Sequence, residues 1–190
     1  MDINDTNFVF LGNNLAIDFV NTQIIQRGEL VELLEENADV MRWAQQAGYA
    51  ITGKCQSEEL ETVRKMRAAL RELFQAAIEE RLPPQQALTT VNRHLAENGT
   101  HQILQLNTSS GALTLEPNLK AIDLFALLAK LAYEGAQLLT APAVSNIKSC
   151  SNPNCLLVFL DTSRTRKRRW CSMDICGNRA KAAKHYRKQK

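Results

Sequence analysis

Cys150, Cys155, Cys171 and Cys176 carry the spacing C-x4-C-x15-C-x4-C, and Cys55 stands alone far upstream. Two close cysteine pairs separated by a short insert can meet at one tetrahedral metal. Zinc takes four thiolates readily because it has no crystal-field preference, and a site filled by cysteine alone leaves no open position for water. Such a metal is structural, one Zn2+ per chain. Three other readings compete: disulfides in one of three pairings, an iron–sulfur cluster, or a cluster without a ligand. The insert suits the metal. Leu156–Leu160 reads as a strand, Asp161-Thr162-Ser163 as a turn, and the second pair opens a helix from about Ile175. A knuckle, a hairpin and a helix start around four thiolates resemble a treble-clef arrangement.

Cations crowd the same segment. Arg164, Arg166, Lys167, Arg168 and Arg169 lie between the cysteine pairs, and Arg179, Lys181, Lys184, Arg187, Lys188 and Lys190 follow them. Positions 181, 184 and 188 share a helical face, with 187 beside them. This stripe is able to neutralise phosphates. Asn178 and Arg179, at the start of a metal-anchored helix, are candidates for reading base edges in a major groove. Trp170 reads as a plug beside the metal in preference to a base-stacking platform, and Asp161 and Asp174 as turn or capping residues. The plainer reading of the whole run is a solvated basic tail.

The elements that position these residues follow from pattern and charge. Residues 150–190 hold eleven Lys and Arg against two Asp and Glu, whereas residues 1–149 hold twelve against eighteen, within a net charge of +3 over 190 residues. That asymmetry points to a nucleic-acid arm on an acidic body. Residues 7–11 have strand composition; Leu15–Thr22 begins a helix after Gly12-Asn13-Asn14; residues 29–34 fit either class. A helix over 37–47 has Asn37 as its cap and Gly48 as its stop. The clearest helix, 57–81, shows an apolar stripe through Leu60, Val63, Met66, Leu70 and Phe74 and ends at Pro83-Pro84. A fourth carries Ala87, Leu88, Val91 and Leu95. Residues 101–116 change period and read as a β-hairpin. A long apolar helix over 119–140 contains Asp123, Lys130 and Glu134, so it reads as buried rather than membrane-spanning. The expected fold is mainly α with short β-strands (α+β): a helical domain over 1–142, then a finger over 143–190.

Enzyme signatures are missing: no H-E-x-x-H, G-x-S-x-G or P-loop pattern occurs. His94, His101 and His185 read as structural or solvated, and Cys55 as an inert loop thiol. The chain is therefore expected not to be an enzyme. Its first residues lack the basic start and apolar run of a signal peptide, so the expected compartment is the cytosol, where thiols stay reduced.

Trp170-Cys171-Ser172-Met173-Asp174-Ile175-Cys176-Gly177-Asn178-Arg179-Ala180-Lys181 resembles the signature of CGNR-type zinc fingers. Cys150-x4-Cys155 and Phe159-Leu160-Asp161-x-Ser163-Arg164 fit the same pattern. Leu11-Gly12-Asn13-x-Leu15-Ala16-Ile17-Asp18-Phe19-Val20-Asn21-Thr22 resembles the start of the ABATE domain, which usually precedes this finger. The resemblance implies a bacterial transcription regulator with a sensory or oligomerising domain and a DNA-binding finger. Duplex DNA is the expected partner, with RNA or the ribosome as the alternative and no membrane; an enzyme in residues 1–140 with the finger as targeting arm is a third reading. A homodimer reading two half-sites is expected because one small finger binds modestly. Asp18, Asn21 and Thr22 share a helix face. They read either as a site for a small-molecule effector or, the favoured reading, as braces for the first helix.

Overall fold

The computed structural model describes residues 8–52, 57–96, 102–106, 113–117 and 122–188. The chain is mostly helical. Its elements run α1 (Leu15–Val20), β1 (Gln23–Gln26), β2 (Glu29–Glu32), α2 (Asn37–Gln46), α3 (Ser57–Ile78), α4 (Gln85–Ala96), β3 (Gln102–Leu106), β4 (Leu113–Pro117) and α5 (Leu124–Thr140). A 3-10 turn over Pro142–Asn146 leads into β5 (Ile147–Ser149) and β6 (Val158–Leu160), and a π-turn over Met173–Gly177 into α6 (Asn178–Lys188). Among the described residues the strands form three antiparallel pairs, β1 with β2, β3 with β4, and β5 with β6. No described helix is long and apolar enough to cross a membrane.

Local chemistry sets most boundaries. Asn14 Oδ1 accepts from the Ala16 and Ile17 N–H groups at 3.0 and 3.2 Å, which starts α1 by satisfying two orphan donors. Asp123 does the same for α5 through the Ala126 N–H at 2.7 Å. The helix expected from residue 119 therefore begins at Leu124, and Ile122 just before it forms an isolated parallel bridge with Ile51. The cap of α2 is Glu36, not Asn37; Asp39 reaches back to the Glu35 and Glu36 N–H groups at 2.8 and 3.0 Å. α3 stops at Ile78, ahead of the two prolines. Glu80 turns left-handed (φ 53°) and the Arg81 N–H closes on the Ala76 carbonyl at 3.0 Å, a Schellman-type ending.

The segment 29–34, ambiguous by pattern, is half of a hairpin whose register pairs Gln26 with Glu29 across Arg27-Gly28. Both turn residues have positive φ, 53° and 89°, as a two-residue turn between twisted strands requires. The strand expected over 7–11 does not form in its described part, residues 8–11. Its aromatics cover α2 instead: Phe10 stacks on Trp43 at 6.2 Å and Phe8 lies under the Arg42 guanidinium. The β-hairpin expected over 101–116 is present as β3 and β4; its turn, the Asn98-Gly99 stop, Cys55 and His101 lie outside the described residues.

The core joins α1, α2, α3, α4 and α5 around Ile17, Phe19, Trp43, Met66, Leu70, Phe74, Leu128 and Leu131. α5 comes close to α3 at Gly135, where an added Cβ would lie 2.6 Å from Leu70 Cδ2. Ile147 of β5 and Val158 of β6 belong to this same core. The chain thus packs continuously across the 3-10 turn that occupies the expected boundary. A second cluster gathers Ile24, Leu157 and Phe159 around the cysteines.

Candidate metal centre and basic face

Backbone turns bring the four cysteines together. Cys150 follows β5, and its N–H pairs with the Leu157 carbonyl at 2.9 Å; the Cys155 N–H closes on the Asn152 carbonyl at 3.0 Å. Cys171 precedes the π-turn and Cys176 sits inside it, with the Ser172 carbonyl accepting from the Cys176 and Gly177 N–H groups at 3.1 and 3.0 Å. The Ser151 N–H donates to the Arg169 carbonyl at 2.9 Å and zips the two arms together.

All four sulfurs lie within 4.8 Å of one another. Cys155 to Cys171 is 3.8 Å and Cys171 to Cys176 is 3.6 Å. A tetrahedral zinc with bonds of about 2.3 Å places its sulfurs about 3.8 Å apart, so the set fits that ion. None of the four is in a disulfide. Cys150, Cys171 and Cys176 are buried and Cys155 is partly exposed. A hydrogen bond from Cys155 is the main cause that pulls Cys150 far below the ordinary thiol range, and the same contact pushes Cys155 up to about 12. Thiols this close do not all ionise without a cation between them, which is what the donor set asks for. The surrounding groups are arranged for charge on sulfur: the Cys171 N–H faces Cys150 Sγ at 3.5 Å, and Asn152 Nδ2 faces Cys176 Sγ at 3.4 Å. Cys150, Cys155, Cys171 and Cys176 hold one structural zinc, whose chemistry is to tie two arms of the chain together.

The basic loop between the pairs is organised by Asp161, which is fully buried. Burial would push its carboxyl up, but Lys148 Nζ at 2.6 Å, Ser163 Oγ at 2.6 Å and the Arg168 N–H at 2.8 Å hold it well below the carboxylate range. Its backbone carbonyl accepts from Arg166 at 2.6 Å, and Lys148 also donates to the Arg166 carbonyl. Pattern alone gave Asp161 a turn; its reach to Lys148 and Arg168 was not visible there.

This loop sorts the cations. Arg164, Lys167 and Arg169 are exposed, and Arg166 is exposed while tied to Asp161. Arg168 is half-buried: its guanidinium lies 4.5 Å from the Phe159 ring centre and donates to the Trp170 and Cys171 carbonyls, bracing the second cysteine pair. Asn178 and Arg179 are exposed at the start of α6, and the Asn178 amide donates to the Asp174 carbonyl at 3.1 Å. Lys181 is exposed one turn on; Lys184, Arg187 and Lys188 lie along the same helix. Gly177 has no left-handed backbone. A Cβ there would lie 2.5 Å from Met173 Sδ, so it keeps the π-turn tight against a methionine.

Asp18, Asn21 and Thr22 meet protein partners. Asn21 is fully buried and makes a two-point pair with β6: its Nδ2 donates to the Val158 carbonyl at 2.9 Å and its Oδ1 accepts from the Val158 N–H at 3.0 Å. Thr22 Oγ1 accepts from the buried Arg67, which also pairs with Glu32. Burial would raise Glu32, but Arg67 above all holds it below its ordinary range. Arg71, missed by pattern, donates to the Val20, Gln23 and Leu156 carbonyls, and burial lowers it to about 10. Its place mid-stripe in α3 was the only available signal.

Asp18 accepts from the Gly12 N–H at 2.7 Å, yet burial raises its carboxyl to about 6. The folded chain then holds this proton more tightly than the unfolded one. Asp18 favours folding most below about pH 4, and that help is lost as pH rises through about 6. Asp18→Asn keeps the acceptor without the buried charge. Its melting temperature is expected to exceed that of the parent at pH 8, by an amount corresponding to about 1 kcal/mol after solvent screening, and the gain should shrink by pH 5. A gain independent of pH would refute this account.

Comparisons with known proteins agree with this geometry. The ABATE family model, described as "putative stress-induced transcription regulator", matches residues 13–142. The CGNR zinc finger model matches residues 146–189. A search of curated proteins found no match.

Proposed function

We propose, from the premise that this chain belongs to the ABATE family and carries a CGNR zinc finger, that it is a DNA-binding transcription regulator. The observation that carries the reading is the pairing of a closed four-cysteine metal site with exposed cations on two sides of it, Arg164, Lys167 and Arg169 in the loop and Arg179 and Lys181 on α6. A rigid metal-tied frame presenting cations is suited to phosphate contact along a duplex. Arg168 is assigned to the frame rather than to the nucleic acid, and base readout to Asn178 and Arg179. The role needs no catalytic step. A ligand or a second copy acting on the helical part would reach the finger through Asn21 and Arg71, which hold the backbone at Val158 and Leu156.

Selection of genomic duplex fragments on the zinc-loaded chain, at near-physiological salt, tests the reading. Enrichment of a shared short element supports a specific regulator; recovery without enrichment counts against one. The double variant Lys181→Glu/Lys184→Glu is expected to weaken duplex binding at least tenfold and to reduce the salt slope by about 2, since each phosphate contact adds about one counterion. An unchanged affinity and slope would remove α6 from the contact face.

A further inference from the structure

An open cleft of about 520 Å³ lies between the first cysteine knuckle and the opening turns of α6, lined by Asn152, Pro153, Asn154, Trp170, Arg179 and Ala183. We propose that this cleft receives a single unpaired nucleobase, so that the finger prefers nucleic acid carrying a base out of the stack. The inference rests on the nucleic-acid reading above and names the feature recognised.

The walls are rigid because they are tied to the metal ligands. Asn152 Oδ1 accepts from the Asn154 N–H at 3.1 Å while its Nδ2 faces Cys176 Sγ, so the turn that presents Pro153 and Asn154 is fixed at both ends. Trp170 adjoins Cys171 and is half-exposed, with the Arg169 guanidinium 5.3 Å from its ring centre. The polar groups at the rim are ready for a guest. Asn154 and Arg179 are exposed, and neither side chain has a protein hydrogen bond or ion pair among the described residues.

An indole, a proline and an alanine offer apolar surface to a flat ring, while an amide and a guanidinium offer hydrogen bonds to its edge. The volume lies in the range of sites for small organic groups. The positive surroundings favour a guest attached to phosphate, which separates a nucleotide from a neutral aromatic metabolite or an apolar peptide side chain. A base within a duplex stack cannot enter a walled cleft; one already unpaired enters at little cost.

The test compares two DNA duplexes of one sequence, one perfect and one with a single unpaired adenine at its centre. Each is titrated with the full zinc-loaded chain at fixed salt. Stacking of a base on an aromatic wall predicts about tenfold tighter binding of the second duplex. Ala183 is exposed, so Ala183→Trp fills the cleft with the fold intact, as zinc content and melting temperature would verify. That variant should bind both duplexes equally while keeping the affinity for the perfect one within twofold. Equal binding by the parent chain, or a preference that survives Ala183→Trp, overturns the proposal while leaving duplex binding in place. Failure to bind either duplex overturns both readings.

Discussion

Removing zinc from the full chain is expected to lower its melting temperature by about 10 °C or more and to abolish duplex binding, while most of the helical signal survives. The reason lies in how the finger is divided. Its sulfur side has little apolar material of its own, Leu157 and Phe159 around the cysteines with Trp170 and Ile175 at the edge, and it leans on Ile24, Val9, Val31 and Leu33 of the N-terminal part. Zinc binding is worth on the order of 10 kcal/mol in small zinc-dependent folds, so without it this side loses its frame. Its hairpin side differs, since Ile147 and Val158 sit in the main core with α1 and α3. Loss of the metal therefore frays the loop and α6 outright but only loosens β5 and β6. A net loss of about 4 kcal/mol shifts the midpoint of a chain this size by about 10 °C. Cys171→Ser should reproduce the effect, because Cys171 is buried and lies within 3.8 Å of both Cys155 and Cys176. Metal analysis should find one zinc per chain before stripping. An apo protein that melts within 2 °C of the loaded form and still binds DNA would show that the metal is not what holds the finger.

Features legible in the sequence were those whose causes are local. The C-x4-C-x15-C-x4-C spacing is a chain-length constraint, and it delivered the metal ligands. The stripe of α3 came from periodicity in the same way, while the helix expected from about Ile175 after the second cysteine pair is a π-turn over Met173–Gly177 that leads into α6 at Asn178. Features decided across long distances did not show. Asn21 and Val158 lie 137 residues apart, and nothing in either segment names the other. Residue type also misleads where one chemistry has two uses. Arg168 sits among four other cations and was grouped with them, yet its place over Phe159 and against two carbonyls makes it a brace. The β1–β2 hairpin was missed because its turn is Arg27-Gly28 rather than Asn-Gly, although Gly28 was the available signal. For residues 8–11, apolar composition could not tell a strand from a strap, because pairing is decided by whether another strand edge is within reach.

The second large effect is expected at Asn21, and it separates docking of the finger from its metal. The side chain makes both hydrogen bonds that a neighbouring strand would otherwise make with Val158, and both residues are buried. Asn21→Ala leaves one buried N–H and one buried carbonyl without partners, at about 1–3 kcal/mol each. A destabilisation of about 2–5 kcal/mol follows, which lowers the melting temperature by roughly 5–15 °C in a chain of this length. Asn21→Asp should fare no better. It can still accept from the Val158 N–H, but it sets a carboxylate against the Val158 carbonyl and buries an uncompensated charge. Because the four sulfurs are held within 4.8 Å of one another by turns that do not involve Asn21, both variants should retain a full complement of zinc. Amide exchange gives the decisive measurement. The Val158 N–H should lose protection in Asn21→Ala, while the Cys176 N–H, held by the Ser172 carbonyl inside the π-turn, keeps it. If Val158 stays protected and the melting temperature is unchanged, the finger is carried by its own metal frame and Asn21 is incidental. If both amides lose protection together, docking and metal binding form one cooperative unit, and any signal from the helical part would act on the zinc site itself.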